Sequence, residues 1–222
     1  MTPAHAAAHA VLLFAPGAAV FVGGIPGAGK TTFLARTVRP ADAVVLDSAD
    51  VRRRLRARLG PRVPYGLYRP LVHLLHMLRV WRALAQPGPV VVHDCATRGP
   101  LRRLLRRRAA RPGRPVCLLL LDVDPAVARG GQHARGRRVD ARAMRRHERR
   151  WARMVTGAPP RPSPALLAEG FTDLRVLDRS AADTVAALRF ARARAPRKTR
   201  PHEAQAPVVR PWERLPAEAR TG

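Results

Sequence analysis

Eight consecutive residues, 24–31, combine glycines, a lysine and a hydroxyl side chain at spacings suited to phosphate binding. They satisfy the pattern G-x-x-x-x-G-K-[ST]. Glycines let a loop turn its backbone N–H groups inward around phosphate oxygens, and the N-terminus of a following helix adds a partial positive charge. The expected ligand is ATP, and the expected contact residues are Gly24, Ile25, Pro26, Gly27, Ala28, Gly29, Lys30, Thr31 and Thr32.

Two side chains of this segment have chemical roles of their own. Lys30 is expected to bridge the β- and γ-phosphates and so to act in catalysis, and the Thr31 hydroxyl is expected to bind Mg²⁺. Lysine occurs only at Lys30 and Lys198, so 40 of the 42 basic residues are arginine. A lysine kept here indicates a compact ammonium group that the planar guanidinium cannot replace.

A carboxylate follows the aliphatic run at 90–93. This is the form of a Walker B segment, and Asp94 is therefore the second expected Mg²⁺ residue. The alternative is that Asp94 caps the helix that begins near Pro100 or is simply a turn residue. His93 fits a packed residue better than a ligand.

Two further carboxylates compete for one role. Asp47 ends the run at 43–46, where parallel sheets place functional side chains, whereas Asp50 falls in the first turn of the next helix and could serve the helix dipole. We favour Asp47 as the catalytic group that orients or deprotonates an acceptor hydroxyl. The alternatives are Asp50 and neither of the two.

The segment 128–138 combines glycines with clustered arginines. It resembles a lid that closes over a site and excludes water. Arg135 and Arg137 are expected to neutralise charge on a transferring phosphoryl group.

The elements that must hold these residues alternate along the chain. Short apolar runs at 18–22, 43–46, 90–93, 116–121 and 174–177 predict strands, and the spacing between them predicts helices at 31–39, 49–59, 70–84, 100–110, 125–134, 140–155 and 181–193. Near-continuous apolar strands separated by helices indicate a parallel sheet covered on both faces. The expected fold is therefore α/β, a three-layer sandwich with a five-stranded parallel sheet.

Composition sets the boundaries of this domain. Residues 1–16, rich in Ala and His, are expected to form an N-terminal extension, residues 17–193 the ATP-binding domain, and residues 194–222 a Pro/Arg-rich disordered tail. The two cysteines lack metal-ligand spacing, and no apolar run approaches the length of a membrane span. A cytoplasmic protein with reduced thiols is expected.

The formal charge of +27 has two interpretations. A coding bias toward GC-rich codons would inflate arginine on every solvated face, since Asn is absent and Ile occurs once. A nucleic-acid or other polyanion partner would use the same charge. Nucleic acid is possible but not favoured.

The order of the segments GIPGAGKTT, LDSADVR, VVVHDCATR, LLLLDVDP and ARGGQHARGRR resembles the P-loop kinase group. That group includes AAA-type ATP-binding proteins related to zeta toxins, gluconate kinase and polynucleotide kinase. The resemblance implies a P-loop NTPase fold with strand order 2-3-1-4-5 and the cofactors ATP and Mg²⁺. Relatives often carry Asp-x-x-Arg after the second strand, and Ala49 stands at the Asp position if Arg52 matches the Arg.

The expected function is an ATP-dependent kinase of a small hydroxyl-bearing or nucleotide-like acceptor. The alternatives are an ATP-binding regulatory module with little turnover and a nucleic-acid 5′-hydroxyl kinase. The residues expected to line an acceptor pocket are Arg53, Tyr65, Tyr68, Arg69, His73 and His76.

Overall fold

The computed structural model describes residues 10–110, 113–133 and 140–192. All of these residues fall within one compact unit, Met1–Arg192, and the second unit, Ala193–Gly222, lies outside the described residues. The strands are β1 Ala10–Phe14, β2 Ala19–Gly23, β3 Val44–Leu46, β4 Val90–His93, β5 Val116–Leu121, β6 Val155–Thr156, β7 Arg161–Pro162, β8 Asp173–Leu177 and β9 Val185–Phe190. The helices are α1 Lys30–Thr37, α2 Ser48–Leu59, α3 Tyr65–Ala83, α4 Gly99–Ala110, α5 Pro125–His133, α6 Ala141–Ala152, α7 Pro164–Leu167 and α8 Arg179–Thr184.

The main sheet has five parallel strands in the order β3-β4-β2-β5-β8. Numbered along the chain, the five predicted strands therefore lie in the order 2-3-1-4-5, which confirms the expected topology. Every residue of β2 and of β5 is buried, because both strands lie inside the sheet with helices on both faces. The phosphate-binding loop thus leaves the central strand of the sheet.

Alternate residues of the central strands enter different hydrophobic clusters. Phe21 and Leu118 belong to one cluster, whereas their neighbours Val22 and Leu119 belong to another. This alternation follows from the two-residue repeat of a strand, which sends successive side chains to opposite faces. Two cores on opposite faces of one sheet confirm the three-layer α/β sandwich.

The structure differs from the sequence expectation at two ends of the domain. A strand, β1, lies within the expected N-terminal extension and pairs in parallel with β9, so that the Phe14 and Phe190 rings stack at 5.7 Å. The helix expected over 181–193 ends at Thr184 as α8, and β9 follows it. Pairing with β1 and burial of Val185 and Leu188 outweigh the helix propensity of this Ala- and Arg-rich segment.

Helix α3 begins earlier than its sequence predicts. We expected Pro70 to open it, yet the helix starts at Tyr65 and contains Pro70. Proline there removes a donor to the carbonyl of Gly66, four residues earlier, and burial of Tyr68, Val72, His76 and Val80 compensates for the loss. Among the described residues, no helix is both long enough and apolar enough to cross a membrane.

Candidate functional site

The loop between β2 and α1 carries the phosphate-binding sequence. Gly29 caps α1 with a positive φ of 83°, and Lys30 is the first residue of the helix. The Lys30 Nζ atom donates to the carbonyl oxygens of Gly24 at 2.6 Å and Ile25 at 3.0 Å. The backbone therefore wraps around the ammonium group at the helix N-terminus, where a phosphate would also be attracted.

Helix α5 is packed directly against this loop. Gly27 has a φ of 93°, and a Cβ atom placed there would overlap the carbonyl of Ala128. On the same helix, Gln132 is buried and donates from Nε2 to the Pro26 carbonyl at 2.8 Å. Gly27 is therefore required both by its backbone conformation and by the close approach of α5.

Two cavities lie on either side of the loop. The first, of about 550 Å³, is lined by Phe33, Val123, Val127 and Ala182 with Arg36, Arg179 and Asp183, and we call it the apolar cavity. The second, of about 400 Å³, is lined by His73, His76, His93 and His147 with Arg69, Arg98 and Asp94, and we call it the histidine cavity. Both also border Gly27 and Gly29, so the loop separates one cavity from the other.

The predicted cofactor residues divide between these cavities. Ala28 and Thr32 line the apolar cavity, whereas Pro26, Lys30 and Thr31 line the histidine cavity. Gly24 and Ile25 line neither and instead supply the carbonyls that hold Lys30. The loop can thus direct one part of a ligand to each side.

Asp94 follows β4 and lies on the histidine cavity together with Lys30 and Thr31. One hydroxyl and one carboxylate are the oxygen donors that Mg²⁺ accepts when phosphate oxygens and water complete its shell. Among the described residues there is no cluster of three or more His, Cys, Asp or Glu that could hold a metal by itself. The donor set therefore fits a magnesium ion that arrives with a nucleotide.

Asp47 has a different position from the one expected. It is the N-cap of α2, where its side chain accepts from the Ala49 N–H at 2.8 Å. Its Oδ2 atom lies 2.8 Å from Nδ1 of His93, and both side chains are 14% exposed. Asp47 is not among the described residues that line the histidine cavity, whereas His93 is.

This contact sets the charge of Asp47. Burial alone would raise the pKa of the carboxyl group, but the contact with His93 and the N–H of Ala49 outweigh burial and lower it. Asp47 is therefore ionised at neutral pH and lies in ion-pair contact with His93, a residue that lines the histidine cavity. No sequence pattern indicates this pair, because the two residues are 46 positions apart and the pairing of β3 with β4 brings them together.

Helix α3 contributes three polar side chains to the histidine cavity. Arg69, His73 and His76 follow one another at helical spacings of four and three residues and so share a face. The other residues expected at this site lie elsewhere. Tyr68 is buried with Val51 and Val72, Tyr65 stacks under Arg52, and Arg53 forms an exposed ion pair with Asp50.

Burial disfavours the charged form of three imidazoles in the cavity. It is the first cause that lowers the pKa of His76, of His147 and of His73. Asp94 opposes this shift at each of the three rings. Burial likewise raises the pKa of the Cys95 thiol, which makes it a poor nucleophile.

A buried ion pair supports the strand end that carries Asp94. Arg102 donates from Nε to Glu169 Oε2 at 2.8 Å and from Nη2 to Oε1 at 2.5 Å, and both side chains are less than 10% exposed. Arg102 also donates to the carbonyl of Ala96, two residues after Asp94. Nearby, Thr97 Oγ1 lies 2.9 Å from His147 Nδ1, which joins the same segment to α6.

Sequence reasoning missed these supporting contacts. Arg102 is one of 40 arginines and Glu169 stands in an unremarkable turn, so neither residue type nor spacing marks the pair. Arg135 and Arg137, the two arginines expected in a lid, lie outside the described residues. Of the predicted lid, the described part is the end of α5 that packs on the phosphate-binding loop.

This geometry defines a P-loop kinase-like protein: a loop of the Walker A type on the central strand of a parallel sheet in 2-3-1-4-5 order. A family model described as "AAA domain" matches residues 20–160, more than half of the chain, and the chain belongs to that family. No curated protein matches the chain.

Several solved structures are similar to the chain at low sequence identity. A protein of the PezAT chromosomal toxin-antitoxin system of Streptococcus pneumoniae is 14% identical, with 75% of each chain covered and a TM-score of 0.55. A candidate kinase from Chloroflexus aurantiacus is 15% identical, with 76% of this chain and 88% of that chain covered and a TM-score of 0.50. A gluconokinase from Sinorhizobium meliloti 1021 is 14% identical, with 77% and 90% covered and a TM-score of 0.47. At these identities the likeness concerns the fold.

Proposed function

We propose that this protein is an ATP-dependent kinase that transfers the γ-phosphoryl group to a small hydroxyl-bearing acceptor. The observation that carries the proposal is the position of the phosphate-binding loop between two cavities. Lys30 and Thr31 face the histidine cavity, and Thr32 faces the apolar cavity. A nucleoside in the apolar cavity would extend its phosphates across Gly27 and Gly29 toward Lys30.

The sizes and linings of the cavities support this division. Both volumes, about 550 and 400 Å³, lie in the range of small-molecule sites. Apolar walls such as Phe33 and Val127 suit a planar base, whereas imidazoles and guanidinium groups suit a polar acceptor. A second cavity beside the phosphate-binding loop, with room for an acceptor, favours a kinase over an ATP-binding module without turnover.

Side chains around the two cavities would supply the remaining chemistry. Thr31 and Asp94 would hold Mg²⁺, which neutralises charge on the β- and γ-phosphate oxygens when bound. His93 Nε2 would take the proton of the acceptor hydroxyl as the new O–P bond forms and the bond from the γ-phosphorus to the β-γ bridging oxygen breaks, releasing ADP. Asp47 would act as a positioning residue through Nδ1 of His93.

Calorimetric titration with Mg·ATP of the wild type and of Lys30→Ala tests nucleotide binding. We expect the variant to lose at least tenfold in affinity, because its ammonium is the one charge that the loop encloses. Lys30→Arg is the matched control, and it should also bind weakly because a planar guanidinium does not fit a turn built around a compact charge. Equal affinity in the three proteins would exclude the phosphate site.

A further inference from the structure

Helix α3 has a second apolar face, and this face is exposed. Of the twelve large apolar side chains that are exposed among the described residues, five lie on this helix, and their exposed fractions run from 36% at Trp81 to 77% at Leu67. We call these five the leucine stripe: Leu67, Leu71, Leu74, Leu78 and Trp81. Single exposed apolar residues are normal on a protein surface, whereas a continuous row of them marks an interaction site.

The spacing of the leucine stripe is that of a helix-pairing seam. Its members follow one another at intervals of four, three, four and three residues, an average of about 3.5. This is the repeat with which the apolar positions of a coiled coil insert between the side chains of a facing helix. The sequence of α3 thus provides a straight apolar row for a second helix.

A different row of the same helix fixes α3 to the domain. Its buried residues stand at four-residue intervals: Tyr68, Val72, His76 and Val80. With 3.6 residues per turn, this buried row and the leucine stripe lie on opposite sides of α3. A helix could therefore pack along the stripe without displacing the contacts that hold α3 in place.

Helix α4 adjoins the stripe at the Trp81 end. The Arg108 guanidinium lies 5.0 Å from the centre of the Trp81 ring, and Nε of Arg108 donates to the Trp81 carbonyl at 3.4 Å. Leu104 stands one turn before Arg108 on α4 and is exposed. Both an apolar side chain and a cation of the neighbouring helix thus border the stripe.

The charge around the stripe has one sign. Residues 65–83 and 99–110, which form α3 and α4, contain eight arginines and no Asp or Glu. Arg82 directly follows Trp81 and is exposed, and neither Arg82 nor Arg108 takes part in an ion pair between described side chains. A second copy of this chain would bring like charges together, whereas carboxylates on a partner would complement them.

We propose that the leucine stripe is a docking surface for an acidic amphipathic helix of a partner protein. The apolar row of that helix would pack along the stripe, and Asp or Glu residues beside the row would pair with Arg82 and Arg108. None of the five stripe residues is among the described residues that line the apolar or the histidine cavity. Docking at this surface therefore goes beyond phosphoryl transfer and does not depend on the identity of the acceptor.

Synthetic helices test this surface on the full chain. Three peptides of about 21 residues, or three heptads, are compared. The first has Leu at positions a and d and Glu at e and g, the second has Lys in place of Glu, and the third has Ser in place of Leu. Fluorescence anisotropy at about 0.15 M salt, where surface charges are partly screened, measures their binding. We expect the first peptide to bind at least tenfold more tightly than either of the others, because they lose the complementary charge and the apolar contact, respectively.

Matched variants locate the binding surface. Leu67→Gln and Leu74→Gln change the two most exposed leucines of the stripe and should each weaken binding of the Glu/Leu peptide about tenfold. Arg82→Gln should weaken it about threefold and make it less sensitive to salt. Leu167→Gln, which changes an exposed leucine of α7, is the control and should leave binding unchanged. All of these side chains are exposed, so circular dichroism should show folded variants.

Two results would refute a specific surface: equal binding of the Glu/Leu peptide to the wild type and to Leu74→Gln, or equal binding of the Leu and Ser peptides. Three further measurements identify other occupants, and each positive result would overturn the proposal. Sedimentation velocity would show a dimer that Leu74→Gln dissociates if a second copy covers the stripe. Flotation with vesicles of phosphatidylcholine and phosphatidylglycerol would show binding that Leu74→Gln loses if a membrane surface does. Radical footprinting of the free monomer would leave Leu67 and Leu74 unlabelled if the chain itself covers them.

Discussion

Oδ2 of Asp47 lies 2.8 Å from Nδ1 of His93, so the carboxylate that caps α2 also holds an imidazole at the edge of the histidine cavity. Asp47 directly follows β3 and His93 is the last residue of the neighbouring strand β4, and the parallel pairing of Leu46 with Val92 brings them together. A carboxylate that was expected to contact an acceptor directly therefore reaches the cavity through a second side chain. This arrangement can fix both the orientation and the tautomer of the ring.

The first prediction tests this indirect role. Asparagine is as good an N-cap as aspartate, so Asp47→Asn should preserve α2 while removing the charge that orients His93. We expect kcat for phosphoryl transfer to fall about 10²–10⁴-fold, with little change in ATP affinity. His93→Gln should have a similar effect, and the double variant should be no worse than either single variant, because the two residues act as a unit.

Asp50→Asn is the control for this prediction. Asp50 forms an exposed ion pair with Arg53 in the first turn of α2, so its neutralisation should leave transfer unchanged. The measurement is steady-state kinetics over a range of pH, since loss of an oriented base also alters the acidic limb of the profile. If Asp50→Asn abolished transfer and Asp47→Asn did not, the roles of the two carboxylates would be reversed.

A second prediction concerns the contact between the phosphate-binding loop and α5. Alanine at Gly27 would place a Cβ atom against the carbonyl of Ala128, a backbone group that no side-chain rotation can move aside. We expect Gly27→Ala to displace α5, to destabilise the fold by about 2–4 kcal/mol through strain and overlap, and to weaken ATP binding. Urea unfolding and calorimetry measure the two effects.

Gly88 provides a matched control for backbone conformation alone. Its φ is 94°, close to the 93° of Gly27, but a Cβ atom placed there meets no atom within 4 Å. Gly88→Ala should cost only the strain of a left-handed conformation, about 1–2 kcal/mol, and leave ATP binding unchanged. Equal destabilisation by the two substitutions would mean that α5 yields easily and that the contact has no structural role.

Apolar runs and glycine spacing carried most of the fold prediction. The five strands of the main sheet are short aliphatic segments between turn residues, and a sheet buried on both faces gives such segments the strongest sequence signal. By contrast, β9 is paired with β1 outside the main sheet and contains Ala186, Ala187 and Arg189, whose propensities favour a helix. Only the tertiary pairing specifies its conformation.

Sequence analysis could find only the part of the candidate site that lies on one continuous segment. The P-loop is a continuous sequence, whereas the contacts of Asp47 with His93 and of Arg102 with Glu169 join residues 46 and 67 positions apart. Such pairs depend on which strands are neighbours and on how helices cross the sheet. In a chain with 40 arginines, composition hides the few that are buried.

A third prediction concerns the buried pair of Arg102 and Glu169. Removing one partner leaves the other charge buried and unpaired, so Arg102→Met and Glu169→Leu should each destabilise the protein by about 3–5 kcal/mol. The double variant should be less destabilised than the sum of the two, and could approach the wild type, because no buried charge is left unpaired. Urea unfolding of the wild type, the two single variants and the double variant completes a double-mutant cycle. If the losses of unfolding free energy in the single variants added up to the loss in the double variant, the two residues would not interact.

The last prediction is a pH dependence of stability that originates in the histidine cavity. Burial, the largest cause, lowers the pKa of His76 in the folded protein, and Arg79 and His93 act in the same direction while Asp94 and Asp47 oppose them. The unfolded imidazole has a pKa of about 6.5, so above that pH the ring is neutral in both states and its contribution to stability is complete. As the pH falls below about 6.5, the unfolded chain binds the proton more readily than the folded protein, and stability is lost until the pH drops below the folded pKa.

We therefore expect the free energy of unfolding in urea to decrease between pH 7.5 and 5.5. His76→Gln should reduce the size of this decrease, whatever its effect on absolute stability, and His73→Gln should reduce it less because the side chain of His73 is exposed. If the free energy of unfolding depended on pH in His76→Gln as it does in the wild type, His76 would be charged, or solvated, in the folded protein.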